Sequence, residues 1–153
     1  MKLGDIIDSS HVILIDKKYK KNELIKILLD KLCQLDKLNN SESIYTQLLE
    51  REKLGSTAIG NGVAIPHVRI SHINEPHVLI CNVKQGVDFE ASDKRSVKIL
   101  FLLLTPDGDL ITHLNLLARI SHLAKDTDFV KKASAANDPN EMCNILIEEE
   151  SKL

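Results

Sequence analysis

Arg51-Glu-Lys-Leu-Gly-Ser-Thr-Ala-Ile-Gly-Asn-Gly-Val-Ala-Ile-Pro-His67 decides how the rest of the chain is read. The stretch leaves an amphipathic segment, crosses three glycines within eight residues and turns apolar at Val63-Ala64-Ile65 before Pro66-His67. Clustered glycines permit left-handed backbone, and successive amides in such a loop form an anion-binding concavity. Pro66 fixes φ and has no N–H to give a sheet, so it limits how a strand continues past it and helps fix where His67 points. The expectation is a histidine at a strand end, beside an amide-rich loop and an arginine. Such an arrangement suits phosphate chemistry.

Upstream, Asn40 or Ser41 is a good cap for a helix whose buried stripe runs through Ile44 and Leu48. Arg51 falls three residues after Leu48 and seven after Ile44, which places it on the apolar face. Periodicity leaves two readings open. Arg51 either caps the last helical carbonyls or aims its guanidinium inward at a phosphoryl group. Gly55 is a natural C-cap. Further back, Val12–Ile15 reads as a short strand, and Asn22 caps a helix from Glu23 striped by Leu24, Leu28, Leu32 and Leu35. Lys17, Lys18, Lys20 and Lys21 read as a solvated turn and first helical face.

Downstream, Val78–Val83 reads as a strand, Gln85-Gly86 as a turn and Val87–Phe89 as a short extended piece. Val97–Leu104 is nearly all apolar, the pattern of a central strand covered on both faces. Thr105-Pro-Asp-Gly108 ends it, and Asp109 caps a helix predicted through Lys125. Thr127 and Asp138 start two more, the last closing in an acidic tail, Glu148–Glu150. Strands interleaved with helices predict an α/β sandwich with helices on both faces of the sheet.

The 153 residues fit one domain, 1–153, with 43% apolar and 27% charged residues. A net charge of −2 and 3% aromatics without Trp give no pull toward nucleic acid and little material for base stacking. The first residues lack the apolar core of a signal peptide, and the longest apolar run, Ile99–Leu104, cannot span a bilayer. Cys33, Cys81 and Cys143 are scattered and odd in number, as expected of reduced cytoplasmic thiols. His67, His72 and His77 recur every five residues, an interval that lines up on neither a helix nor a strand, so no metal site is expected. Gly–x–Ser–x–Gly and both glycine-rich nucleotide motifs are absent.

Arg51, Gly55-Ser56-Thr57, Gly60-Asn61-Gly62 and Ala64-Ile65-Pro66-His67 together resemble the signature of the fructose/mannitol-type enzyme IIA domain of the phosphoenolpyruvate-dependent phosphotransferase system, shared by a nitrogen-regulatory branch. The resemblance implies a mixed, mostly parallel sheet of about five strands between helices. It implies that His67 is phosphorylated, as tele-phosphohistidine, by an HPr-like phosphocarrier protein. His113, near the start of the helix after the long apolar strand, matches the family's second active-site histidine, and Arg51 its charge-stabilising arginine. The residues themselves allow a plainer reading of His113, a partly buried ring bonded to a backbone carbonyl. Ser56, Thr57, Gly60, Asn61 and Gly62 would line the phosphate loop. No cofactor is implied, because the donor is itself a phosphoprotein. The acceptor would be an enzyme IIB, or the phosphorylation state would control a transporter or kinase. No cysteine lies in the local motif of the sugar-transferring partner domain.

Overall fold

A computed structural model describes all residues, Met1–Leu153. After two short 3₁₀ turns (Leu3–Asp5 and Ser9–His11), the order is β1 (Val12–Ile15), α1 (Lys21–Asp36), α2 (Ser41–Lys53), β2 (Ala58–Gly60), β3 (Val63–Ala64), β4 (His67–Ile70), β5 (His77–Val87), β6 (Val97–Pro106), α3 (Leu110–Asp126), α4 (Phe129–Ser134) and α5 (Pro139–Glu150). The sheet has six strands, one more than expected. The extra one arises because the strand interrupted at Pro66 resumes at His67. Strand β6 is central: β5 lies antiparallel on one side, while β3 and then β4 lie parallel on the other. β1 joins β5 in parallel, and β2 joins β3 antiparallel.

Alternation along the two long strands builds two cores. Val78 and Ile80 of β5 and Ile99, Phe101 and Leu103 of β6 face α3, α4 and α5. Leu79, Cys81 and Val83 of β5 and Leu100, Leu102 and Leu104 of β6 face α1 and α2. Period-two side chains buried on both sides require apolar residues at every position, which is why β6 reads as a continuous run. The predicted sandwich is the observed one.

Local signals set most ends. Asp109 accepts from Thr112 N (3.1 Å) and Asp138 from Glu141 N (2.8 Å), both side-chain N-caps. Asn22 does not cap α1. The helix starts at Lys21, and Glu23 reaches back to Lys20 N (3.2 Å). α4 starts at Phe129, two residues past Thr127. Gln85-Gly86 is no turn: β5 runs through it to Val87, with Gly86 at φ +73° where the register with β6 shifts. A Cβ there would meet Ser96 Cβ at 3.0 Å, so both the backbone conformation and the space favour glycine.

The acidic tail is also not a tail. Glu149 and Glu150 are buried at the end of α5. Glu150 accepts from Leu3 N (2.6 Å), Gly4 N (2.9 Å) and Arg119 Nε (2.6 Å), which ties the N-terminus to the last helix. Glu149 accepts from Asp128 N (3.0 Å) and pairs with Lys132 (3.1 Å) and Lys152 (2.5 Å). Paired carboxylates are buried here because their donors converge from distant segments.

Candidate active site

Strand β4 continues β3 with its register unbroken. Val63 lies opposite Ile99 and His67 opposite Leu103, an offset of 36 in both cases (99 − 63 and 103 − 67). Pro66 carries no N–H, so the run is punctured there without a bulge. His67 therefore opens a strand and does not close one. Its parallel partner Leu103 belongs to the core beneath α3, so the ring projects from that face.

The half-buried ring is fixed by one bond, Nδ1 to the Ile65 carbonyl oxygen at 2.5 Å. A carbonyl only accepts, so Nδ1 carries the proton and Nε2 carries the lone pair. Burial, and next to it the Arg51 guanidinium, lower the His67 pKa, while the Ile65 bond and Glu52 work against them. The net direction is down, which favours the neutral, nucleophilic imidazole.

The second ring comes from α3. His113 lies 5.4 Å from His67, centroid to centroid, with the planes 49° apart. It is 7% exposed, and its Nδ1 meets Thr105 Oγ1 at 2.6 Å. Its partner is thus a side-chain hydroxyl, not the backbone carbonyl of the plainer reading. Burial first, then His67 and Arg69, push its pKa down to about 4. Arg69 follows His67 by two positions in β4, on the same face, and lies opposite Thr105. The spacing signal for Arg69 was present in the sequence, whereas Thr105 reads there only as a strand end before a turn.

Arg51 bonds just past the end of its helix and also acts electrostatically on His67. Nη1 donates to Gly55 O (3.0 Å), as a helix-ending cation would, and the guanidinium still lowers the His67 pKa. Four of its five N–H groups are left for other acceptors.

The loop residues are less available. Ser56 Oγ donates to the Phe89 carbonyl and accepts from Ala58 N (3.1 Å). Thr57 sends its N–H (3.1 Å) and hydroxyl (3.0 Å) to the buried Glu52 Oε1, which Lys21 also meets at 3.1 Å. Gly60, Asn61 and Gly62 are not brought to His67 at all. They form the β2–β3 hairpin, with φ of +91°, +57° and +78°, a left-handed turn that Asn-Gly supplies readily. Asn61 N is taken by Asp93 (3.1 Å), and Gly62 lies five residues before His67, roughly 16 Å along extended backbone.

Nor do the histidines spaced by five share a site. His77 Nδ1 bonds Asp36 Oδ2 (2.7 Å), whose Oδ1 takes His11 Nε2 (2.6 Å), while His72 is exposed in left-handed backbone. No helix is long and apolar enough to cross a membrane. Cys33, Cys81 and Cys143 are buried free thiols, and burial alone pushes Cys81 up to about 12.

Residues 5–149 match the model of the family described as the phosphoenolpyruvate-dependent sugar phosphotransferase system, EIIA 2. The chain belongs to that family. A nitrogen regulatory protein of Bradyrhizobium diazoefficiens is 34% identical over 146 residues, 95% of each chain. The fructose-specific EIIA component of Haloferax volcanii is 29% identical over 128 residues, 84% of this chain and 83% of that one. The crystal structure of the nitrogen regulatory protein IIA-Ntr from Neisseria meningitidis superposes with a TM-score of 0.84 at 28% identity, over 94% of this chain and 98% of that one. Membership in the EIIA 2 family makes phosphotransfer-system work, as carrier or regulator, the setting for this site. Two dehydrated neutral imidazoles and two nearby guanidinium groups can hold and move an anionic phosphoryl group.

Proposed function

We propose that the chain is a cytoplasmic phosphocarrier that takes a phosphoryl group onto His67 Nε2 from an HPr-like phosphohistidine protein. The observation that carries this reading is the Nδ1–H···O=C bond to Ile65, which leaves the other ring nitrogen with its lone pair in a half-buried cleft. Nε2 attacks phosphorus as the donor's N–P bond breaks, and the donor imidazole leaves with the electron pair. One N–P bond forms for the one broken, with neither water nor nucleotide consumed. As the bond forms, positive charge develops on the His67 ring, and the Ile65 carbonyl stabilises it through Nδ1–H.

Phosphoryl transfer needs positioning and electrostatic stabilisation of the equatorial oxygens. Arg51 supplies charge, and His113 supplies a neutral ring whose Nε2 has no bond within the chain. Leu54 (85% exposed), Leu110, Ile111 (73% exposed) and Leu114 flank these residues in sequence at the end of α2 and the first turns of α3. Exposed apolar side chains there fit transient docking of the donor and then of an enzyme IIB.

The nitrogen regulatory relative, matched over nearly its whole length, favours a second use of the same site. Phosphorylation adds about −1.5 to −2 charge beside His113, enough to make or break a contact with a transporter or kinase. Phosphorus–nitrogen correlation NMR on the phosphorylated chain tests the carrier chemistry. Phosphorus on His67 Nε2 is expected, and phosphorus on Nδ1 or on His113 would overturn the assignment. Capture of different partners by the phosphorylated and unphosphorylated chain is expected for the regulatory use, and identical sets would overturn it.

A further inference from the structure

We infer that Thr105 is a positioning residue for the transfer: its hydroxyl donates to His113 Nδ1 and so fixes that ring as the Nε2–H tautomer, which presents a donor to the phosphoryl group on His67. This role rests on the phosphocarrier reading above, while the hydrogen-bond geometry stands without it.

Thr105 is fully buried at the end of β6, on the face covered by α3, with Leu103 and the rest of that core behind it. Its Oγ1 lies 2.6 Å from His113 Nδ1 and makes no other hydrogen bond in the chain. Proton bookkeeping then separates two arrangements. If the ring donated to Oγ1, the hydroxyl proton would have no acceptor in the chain, a buried donor left unmade. If the hydroxyl donates to Nδ1, its own proton is satisfied and the ring proton moves to Nε2. Burial, His67 and Arg69 keep His113 neutral, so the ring holds one proton and the hydroxyl settles which nitrogen has it.

The consequence falls on the reaction. With Nε2–H, the ring 5.4 Å from His67 offers a donor to a phosphoryl oxygen. The other tautomer would aim a lone pair at an anion. A buried aspartate that fixes the tautomer of a catalytic histidine follows the same logic, with a carboxylate in place of a hydroxyl.

Two-bond proton–nitrogen correlation spectra of the full, unphosphorylated, ¹⁵N-labelled chain at neutral pH read the tautomer directly. His113 is expected with Nε2 protonated and Nδ1 bare, and a protonated Nδ1 would overturn the inference. Thr105→Val is expected to slow transfer from the phosphorylated carrier roughly three- to tenfold, the rate equivalent of one hydrogen bond, and Thr105→Ser to restore most of it. Wild-type rates in a folded Thr105→Val protein would overturn the positioning role. Failure of the wild type to accept phosphoryl at all would instead count against the phosphocarrier reading, and the nitrogen spectrum would still decide the tautomer.

Discussion

His67 and His113 lie 5.4 Å apart, with Arg51 and Arg69 acting on them and no carboxylate bonded to either ring. His11 and His77 instead each bind one oxygen of Asp36, at 2.6 and 2.7 Å, and His11 also meets Asp8 at 3.1 Å. Both pairs are largely sheltered, so burial alone does not separate them. The partners do. Dehydration beside cations lowers the pKa of His67 and that of His113, which favours bare nitrogen and a nearby anion. Burial also acts to lower His11, but the Asp36 and Asp8 carboxylates outweigh it and raise its pKa. One pair has no carboxylate partner and is left open to an incoming anion. The other is closed on itself, a clamp joining the N-terminal turn, the end of α1 and the start of β5.

The largest way to break the contrast is to remove the charge from the open pair. Arg51→Ala is expected to cut the rate of transfer to His67 by about 10²–10³, the usual cost of one preorganised stabiliser, with little change in fold by circular dichroism. A rate within threefold of wild type would show that the capping bond to Gly55 is its whole role.

Acid titration separates the pairs by sign. The folded chain holds His113 deprotonated down to about 4, while the unfolded chain takes up that proton near 6.5. Stability linked to His113 is therefore present above about 6.5 and lost as pH falls toward 4, up to about 3 kcal/mol. His113→Gln should flatten urea-derived stability across that window. His11 has the opposite sign: its raised pKa gives stability present below 6.5 and lost as pH rises through the folded value, so His11→Gln should remove stability at the acid end. Equal slopes in both variants and wild type would erase the distinction.

Asp36→Asn is expected to destabilise by about 1–3 kcal/mol in urea titration, because two histidines lose a charged acceptor, while phosphoryl uptake stays within twofold of wild type. A matching loss of uptake would join the clamp to the site. The smallest effect belongs to the hairpin. Asn61→Ala is expected to cost about 1 kcal/mol, the strain of left-handed backbone without Asn, and to leave transfer unchanged. A tenfold slower transfer would return Asn61 to the phosphate loop.

Where the sequence spoke locally, it was legible. The apolar run of β6, the Asp109 and Asp138 caps and the isolated Pro66-His67 each need only near neighbours to be read. Gly60-Asn61-Gly62 also carries a clear local signal, Asn-Gly between apolar segments, and the spacing to His67 makes it a distant hairpin in place of the phosphate loop that the family resemblance implies. Glu149 and Glu150 read in sequence only as an acidic tail because Leu3, Gly4 and Asp128, which they bind, are separated from them by 21 to 147 residues. Asp36 gave no sign of its two histidines, 25 and 41 residues away. Thr105 stayed hidden for another reason. A turn signal at Thr-Pro-Asp-Gly accounts for the residue fully until α3 packs back on the end of β6 and sets His113 against it.

The most direct test of the account is intact-protein mass after incubation with phosphoenolpyruvate, enzyme I and the HPr-like carrier. The expected result is a gain of one acid-labile phosphoryl group in the wild type and in Asp36→Asn, and none in His67→Ala. Stoichiometric labelling of His67→Ala would contradict the central claim, and so would an unlabelled wild type with carriers from both the sugar and nitrogen branches.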